Sequence, residues 1–223
     1  MATMAQQKRG KSRWAFTAPK PLAYLQWDNN YEHVLAWARK EYGKDKIKHL
    51  SYRPDPRADA KAAHRAEWER FLKDYDYCVR NFKSVVVDTM SEVNDARKVS
   101  EFGRTLQIMN IFYGSFYSDY RWMVRHALDN DANVIFVHRM KDEYLNNERT
   151  GGLKLEGWAG IAYEAQVLLE HRRDDEGVFV STIRECAQDA MLNGMEFSSE
   201  DDENDFAHLA QRIYPESDLD DWG

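Results

Sequence analysis

The N-terminal segment has the residue spacing of a phosphate-binding loop. Ala5 is followed by four residues and then by Gly10, Lys11 and Ser12, and a relaxed form of the pattern accepts alanine at its first position. In such a loop consecutive backbone N–H groups surround a phosphate at the start of a helix, the lysine adds positive charge, and the serine hydroxyl ligates magnesium. The alternative is a basic, unstructured N-terminus that contains Gly-Lys-Ser by chance.

A second candidate ligand for magnesium ends an apolar segment further along the chain. Residues 84–89 have the sequence Ser-Val-Val-Val-Asp-Thr, which is typical of a buried strand that ends in Asp88. Because parallel sheets bind ligands at the carboxyl ends of their strands, Asp88 is expected to face Ser12 across the phosphate site. Taken alone, the segment fits a buried strand with a capping aspartate equally well. The residues predicted to contact the nucleotide are Gln7, Lys8, Arg9, Gly10, Lys11, Ser12 and Arg13.

Four more side chains are candidates for catalysis. Asp28 and Glu32 follow an apolar segment at 22–27, and either carboxylate is a candidate to activate water; Glu92 is a weaker one. Each of these acids also fits the first turn of a helix. His138 ends another apolar segment, where a hydrogen-bond donor would sense the terminal phosphate. The alternative for His138 is an ordinary hydrogen-bonding histidine at the end of a strand.

The elements that must hold these residues follow from the apolar periodicity and from the positions of proline and glycine. Apolar segments alternate with longer amphipathic ones, which predicts a mostly parallel sheet covered by helices. Residues 139–160 are polar and are expected to form a loop. The strands are expected at 22–27, 47–51, 84–88, 133–138, 161–171 and 178–186, the last two pairing with each other. The helices are expected at 11–17, 59–82 and 92–129.

The negative charge of the chain is concentrated at its C-terminal end. The net charge is -7, but residues 197–223 contain nine acidic residues and one arginine, so residues 1–196 carry a net charge of +1. We therefore expect a core domain over 1–196 and an acidic, flexible tail over 197–223. Four apolar residues in the tail have the spacing of a short docked helix: Phe206, Leu209, Ile213 and Tyr214.

Composition also excludes several classes of protein. The 223 residues, 43% of them hydrophobic, are enough for one sizeable core. No apolar run approaches the roughly 18 residues of a membrane span, so no membrane insertion is expected. Cys78 and Cys186 lack metal-ligand spacing, which indicates free thiols in a reducing compartment and a cytoplasmic location.

With these residues assembled, the chain resembles the RecA-like recombinase ATPases, and more closely the compact phage nucleotide-binding (AAA-type) proteins linked to single-strand annealing. The likeness covers roughly residues 5–186 and is carried by the segments 10–28, 83–89, 133–141 and 147–160. It implies an α/β RecA-like P-loop NTPase fold, with a mostly parallel central sheet, flanking helices and a C-terminal antiparallel extension. It also implies ATP and Mg²⁺ as cofactors, Asp28 as the catalytic carboxylate and His138 as the sensor.

The resemblance further implies a DNA-dependent ATPase that acts in recombination or single-strand annealing. The alternative is a nucleotide-binding switch, or an assembly or scaffold protein, with weak or no hydrolysis. A ring or filament of identical subunits is implied, and a host-cytoplasm location if the protein is phage-encoded. The acidic tail would shield the DNA-binding loop or recruit a single-strand-binding or replication protein. The expected single-stranded-DNA contacts, in a mobile loop at 139–157, are Arg139, Lys141, Arg149 and Lys154.

The chain departs from the RecA-like pattern in two places. A full apolar strand normally precedes the phosphate loop, whereas only residues 1–4 are available here. Either the first strand is very short, or the true N-terminus lies upstream, or nucleotide binding has weakened. The first loop glycine is replaced by Ala5. Asp28 is also one methylene shorter than the glutamate usual at the catalytic position, which leaves the rate of hydrolysis open.

Overall fold

The computed structural model describes residues 1–105, 112–145, 148–158 and 160–222. The strands within these ranges are β1 (Ala2–Ala5), β2 (Leu22–Gln26), β3 (Ile47–Ser51), β4 (Ser84–Asp88), β5 (Asn133–Leu145), β6 (Glu148–Leu155), β7 (Val167–Arg173), β8 (Phe179–Cys186) and β9 (Glu196–Ser198). The helices are α1 (Lys11–Ala15), α2 (Glu32–Tyr42), α3 (Ala60–Asn81), α4 (Met90–Phe102), α5 (Tyr113–Phe116), α6 (Ser118–Asp129), α7 (Ile161–Glu164) and α8 (Phe206–Ile213). Short 3-10 segments lie at Lys44–Lys46, Ala190–Leu192 and Leu219–Trp222.

The strands form one sheet in the order β3-β2-β4-β5-β1-β7-β8-β9, and β6 pairs with β5 outside this row. Strands β3 to β7 in this order are parallel, and β8 and β9 are antiparallel. The predicted α/β class, with its mostly parallel sheet and antiparallel C-terminal extension, is confirmed. The parallel register brings the ends of β1, β2, β4 and the middle of β5 to one edge, because Gln26 lies beside Asp88 and Ala5 beside Arg139.

Hydrophobic cores cover both faces of the sheet, as the alternation within β4 illustrates. Val85 and Val87 point to one core and Val86 to the other, and all three are fully buried. Strands that are covered on both faces have continuous apolar runs, which is why this segment was recognisable in the sequence. The core beneath α3, α4 and α6 includes Phe71, Tyr75, Val93 and Met123. The core beneath α1, α2 and α8 includes Trp14, Leu35, Phe206 and Leu209.

The strand before the phosphate loop is present and very short. Residues 2–5 form β1, which is buried at every position and hydrogen-bonds in parallel between β5 and β7. Four residues suffice because both neighbours supply ladder hydrogen bonds and the small side chains of Ala2 and Ala5 fit the crowded centre of the sheet.

The prediction of a polar loop at 139–157 is wrong, because most of these residues form a β-hairpin. Strand β5 continues to Leu145 and turns back as β6, with Lys141 paired to Lys154 across the two strands. Most of the described side chains of β6 are exposed. A strand that faces solvent on both sides has no apolar alternation, so periodicity could not reveal it.

Two other boundaries differ from the sequence expectation. The single helix expected at 92–129 ends at Phe102, where Gly103 adopts φ +75° and caps it, a conformation that favours glycine. Residues 106–111 of that expected helix lie outside the described ranges. The strand expected from Ile161 begins only at Val167, because Ile161–Glu164 form the helical turn α7. None of the helices in the described ranges has the length and apolar character needed to cross a bilayer.

The acidic C-terminal segment is folded onto the core, so the expectation of a flexible tail from residue 197 is wrong. Strand β9 spans residues 196–198 and pairs with β8, so the sheet crosses the expected boundary. In α8, Phe206 and Leu209 are buried, as the docked-helix spacing predicted, and the Phe206 N–H donates to Thr17 Oγ1 at 2.8 Å. A few apolar residues at helical spacing are enough to dock a helix even in a segment whose average composition is acidic.

Candidate phosphate-binding site

The predicted phosphate loop connects β1 to α1 and is held closed by its own lysine. Lys11 is 7% exposed, and its Nζ donates to the carbonyl oxygens of Ala5 and Gln6 at 3.1 and 2.9 Å. Burial lowers the pKa of Lys11 to about 8, because the charged ammonium loses hydration. A buried ammonium at the end of a central strand is a strong local attraction for an anion.

Gly10 is required by the close approach of β8 to this loop. Its φ is +91°, and a Cβ atom at this position would lie 2.9 Å from Cδ1 of Phe179. Both the left-handed conformation and the lack of space disfavour any residue with a side chain at this position. The hairpin of β7 and β8 therefore packs directly on the loop, a contact that the motif by itself does not indicate.

Ser12 and Asp88 meet at the start of α1, as the sequence predicted. The Ser12 hydroxyl donates to Asp88 Oδ2 at 2.6 Å, and the Tyr24 hydroxyl donates to the same oxygen at 2.9 Å. Asp88 is 3% exposed, and burial raises its pKa although both hydrogen bonds oppose the shift. Burial therefore disfavours the charged form of this carboxylate, and a nearby cation would stabilise it.

Asp28 lies at the same edge, where an arginine holds its carboxylate. Arg139 Nη2 donates to Asp28 Oδ2 at 2.9 Å, and Arg139 Nη1 lies 2.6 Å from Glu92 Oε1. Burial acts to raise the pKa of Asp28, but the hydrogen bonds from Arg139 and from the Asn30 N–H outweigh it, so the pKa lies below its usual value. Of the candidate acids, Asp28 and Glu92 both contact Arg139.

The same arginine is attached to the base of the β5–β6 hairpin. Its backbone N–H donates to Ser91 Oγ at 3.1 Å, and Ser91 Oγ donates to the Glu156 carbonyl oxygen at 3.1 Å. The Glu156 N–H donates to the Arg139 carbonyl oxygen at 2.8 Å. Arg139 was expected on a DNA-binding loop, but the structure places its guanidinium beside the phosphate site.

His138 is fully buried and its ring is oriented by the hairpin base. Its Nδ1 lies 3.2 Å from the Glu156 carbonyl oxygen, which can only accept, so Nδ1 carries the hydrogen. Burial lowers the pKa of His138 to about 4, and the ring is therefore neutral near pH 7. In that tautomer Nε2 is an acceptor, which does not suit the expected role of a donor to a phosphate.

The His138→Gln variant is expected to make folding stability less sensitive to acid. The unfolded chain protonates this histidine below its ordinary pKa of 6.5, whereas the folded protein does so only near 4. Stability from this residue is therefore lost as the pH falls from 6.5 towards 4, at up to about 1.4 kcal/mol per pH unit. When the free energy of unfolding is measured with urea at several pH values in this range, it should depend less steeply on pH in His138→Gln than in the wild type. His33→Gln, on the exposed face of α2, is the control, and equal slopes for all three proteins would contradict the burial argument.

The remaining predicted loop residues lie on both sides of the phosphate site. Gln7 and Lys8 are exposed at the tip of the loop. Arg9 donates from Nη1 to the backbone carbonyl at the end of β7 at 3.3 Å. The guanidinium of Arg13 lies over the ring of Trp37 in α2, 4.5 Å from its centroid. The loop therefore offers two guanidinium groups at its flanks in addition to the buried ammonium.

The other predicted residues lie away from the loop. Glu32 is exposed at the first position of α2, and the structure does not bring it to the Asp28 cluster. Lys141 and Lys154 are exposed on the hairpin, opposite each other. Arg149 lies near the hairpin turn and pairs with Asp142 at 2.6 Å. These cations form a surface that is separate from the phosphate loop.

A cavity of about 450 Å³ opens beside the phosphate loop. Its wall has a polar chain in which His171 Nδ1 contacts Ser181 Oγ at 2.7 Å, and Ser181 Oγ donates to Asn204 Oδ1. Its volume lies within the range of pockets that bind small organic ligands. The aromatic residues that line it are Trp14, Trp37, Tyr42 and Phe179.

Comparison with solved structures identifies the architecture around this site. A KaiC-like protein from the hyperthermophilic archaeon Pyrococcus horikoshii matches with a TM-score of 0.55 and 12% sequence identity, over 88% of this chain and 82% of that chain. This chain has a RecA-like fold. No protein-family model matches the sequence, and no curated protein is similar to it in sequence.

The RecA-like fold accounts for the convergence of these residues. It places the β1–α1 loop, the end of β2 and the end of β4 at one edge of the sheet, so Lys11, Asp28 and Asp88 become neighbours. Three participants were missed by sequence reasoning: Arg139 in this role, Tyr24 and Phe179. Tyr24 and Phe179 carried no motif, whereas Arg139 follows His138 directly and its position after a central strand was a usable signal.

Proposed function

We propose that this chain binds ATP with Mg²⁺ at the β1–α1 loop and hydrolyses it. The observation that carries the proposal is the contact between Ser12 Oγ and Asp88 Oδ2, at 2.6 Å and 76 residues apart in sequence, beside the buried ammonium of Lys11. A hydroxyl, a buried carboxylate and a buried cation at the carboxyl edge of a parallel sheet are the groups that a magnesium–phosphate ligand requires.

The side chains at this edge fit a magnesium ion. Ser12 and Asp88 present oxygen atoms, which Mg²⁺ prefers, and it usually takes few protein ligands together with substrate phosphates. Burial raises the pKa of Asp88, and a bound cation would favour its charged form. When bound, Mg²⁺ would neutralise charge that develops on the phosphates during transfer. Lys11 would hold the phosphate on the opposite side of the site.

The cavity beside the loop supports a ligand that extends beyond the phosphates. It adjoins Gly10 on one side and has the ring of Trp37 and the ring of Phe179 in its wall. Aromatic faces bind flat heterocycles by stacking, and the exposed side chains of Arg13 and Asp202 line the same cavity and provide polar groups. A nucleoside therefore fits next to a phosphate chain held by the loop.

Asp28 is the proposed water-activating carboxylate, with Glu32 the less favoured candidate. The Asp28 N–H donates to the Asp88 carbonyl oxygen at 3.3 Å, which ties the two acids to the same edge. Catalysis here would depend on positioning and charge stabilisation rather than on covalent chemistry. The neutral, buried ring of His138 would hold the hairpin base through Glu156.

The DNA-dependent role in phage recombination or annealing is the finer part of the proposal, and one observation favours it. Lys141 and Lys154 are exposed and directly opposite each other on the hairpin. Like charges in a cross-strand pair repel each other, and a phosphate backbone bound between them would relieve the repulsion. A ring or filament of subunits, and a partner protein recruited by the acidic residues near the C-terminus, belong to the same proposal.

The test is phosphate release from ATP and Mg²⁺, with and without a single-stranded oligonucleotide. We expect turnover that the oligonucleotide stimulates, and a Lys141→Ala/Lys154→Ala variant with about tenfold weaker oligonucleotide binding and a smaller salt dependence. Lys44→Ala/Lys46→Ala, an exposed pair elsewhere with the same change in charge, is the control. ATP binding without turnover would favour a nucleotide-binding switch, and absence of ATP binding would favour a scaffold protein. Equal effects of both double variants on oligonucleotide binding would exclude the hairpin as the DNA surface.

A further inference from the structure

The Arg139 guanidinium extends across the phosphate site. Its strand, β5, lies between β1, which leads into the phosphate loop, and β4, which ends at Asp88. Asp28 follows β2, two strands away from β5, so the side chain spans about 10 Å of sheet edge to reach it. On the way it passes the end of β4, where Ser12 contacts Asp88. A phosphate held between Lys11 and Asp88 would therefore lie within the path of the guanidinium.

The charges in this region are coupled. Asp88 and Asp28 raise the pKa of Lys11 and Arg139 lowers it, although burial is the larger cause of the net decrease. The side chain of Arg139 is 22% exposed, and its two carboxylate partners are 24% and 39% exposed. Guanidinium binds phosphate oxygens through the same paired N–H donors that it uses for carboxylates. Arg139 is thus held by partners that a phosphate can replace.

Arg139 also fits the role that His138 does not. The buried ring of His138 donates from Nδ1 to the Glu156 carbonyl and has an acceptor at Nε2, so it offers no hydrogen to a phosphate. The next residue on the same strand presents a permanent cation at the edge of the site. Its backbone is hydrogen-bonded through Ser91 to the hairpin base, so this residue connects the site with β5 and β6.

We propose that Arg139 recognises the terminal phosphate of the bound nucleotide within the same chain, and that it exchanges Asp28 for this phosphate. In the absence of a terminal phosphate, Arg139 neutralises Asp28 and Glu92. When the phosphate is bound, the Asp28 carboxylate is released to accept a hydrogen bond from water. This inference rests on the proposed function, since it requires a nucleotide in the site.

The test compares the affinity for a non-hydrolysable ATP analogue with the affinity for ADP, both with Mg²⁺. Loss of charge-assisted hydrogen bonds worth about 1.5–3 kcal/mol predicts that Arg139→Ala weakens analogue binding by about tenfold to hundredfold. ADP binding should change by less than about threefold, because ADP lacks the contacted phosphate. Arg139→Lys should lie between the two, since lysine keeps the charge but loses the paired donors.

Two further variants keep this test decisive. Glu92→Gln retains the arginine and removes one competing carboxylate, so it should bind the analogue as tightly as the wild type or more tightly. Arg65→Ala, on α3 and paired with Glu69, should leave the ratio of affinities unchanged. Equal weakening of both nucleotides by Arg139→Ala, an unchanged ratio, or weaker analogue binding by Glu92→Gln would overturn the inference. If the wild type binds neither nucleotide, the proposed function itself fails.

Discussion

Lys11→Ala is expected to weaken ATP binding by about a hundredfold or more while the protein remains folded. The ammonium is the buried cation of the phosphate loop, and each charge-assisted hydrogen bond to a phosphate oxygen is worth about 1.5–3 kcal/mol. In the folded chain its partners are two backbone carbonyls of the same loop, and burial has already lowered its pKa to about 8. In the folded protein the hydrogen bonds of the lysine are offset by the hydration that its ammonium loses on burial. Its removal should therefore change the free energy of unfolding little.

The measurement is titration calorimetry with ATP and Mg²⁺, together with urea unfolding of each variant. Lys8→Ala is the matched control, because Lys8 carries the same charge in the same loop but is exposed. We expect its affinity to fall by less than about threefold, as for an exposed ion pair. Wild-type affinity in Lys11→Ala would show that the β1–α1 loop does not bind the phosphates, and would remove the main support for the proposed function.

Phe206→Ala is expected to destabilise the folded protein by about 3–5 kcal/mol, the usual range for removing a buried aromatic ring. Phe206 is 7% exposed, contacts the ring of Trp14 beside the phosphate loop, and begins the helix α8 in the acidic segment. Urea unfolding monitored by tryptophan fluorescence measures the change. Tyr163→Ala removes an aromatic side chain that is 92% exposed and should cost less than about 0.5 kcal/mol.

A small effect of Phe206→Ala would mean that the acidic segment is not part of the core. A large effect has a practical consequence for its proposed role with DNA or a partner protein. Deleting residues 198–223 would remove α8 and part of β9, so a change in DNA binding could not be assigned to charge. Substitution of the exposed acids Asp218, Asp220 and Asp221 by their amides tests the charge without removing the helix.

The elements that the sequence predicted correctly are those whose signal is local. The apolar run ending at Asp88, the strand at 47–51 and the helix at 59–82 all have patterns that a few neighbouring residues specify. The hairpin of β5 and β6 had no such pattern, since most of the described side chains of β6 are exposed. In the acidic segment the spacing of the apolar residues predicted the docked helix, but nothing local indicated that β9 pairs with β8.

By itself, the sequence indicated the Gly-Lys-Ser loop, the apolar strand that ends in Asp88, and the class of fold. Only the tertiary structure decided which groups those residues meet. Arg139 and Asp28 are 111 residues apart, and their ion pair exists because β2 and β5 lie on either side of β4. Side-chain partners across a sheet depend on the order and register of strands, which periodicity along the chain does not contain. The tautomer of His138 and the contact of Phe179 with Gly10 depend on the same long-range packing.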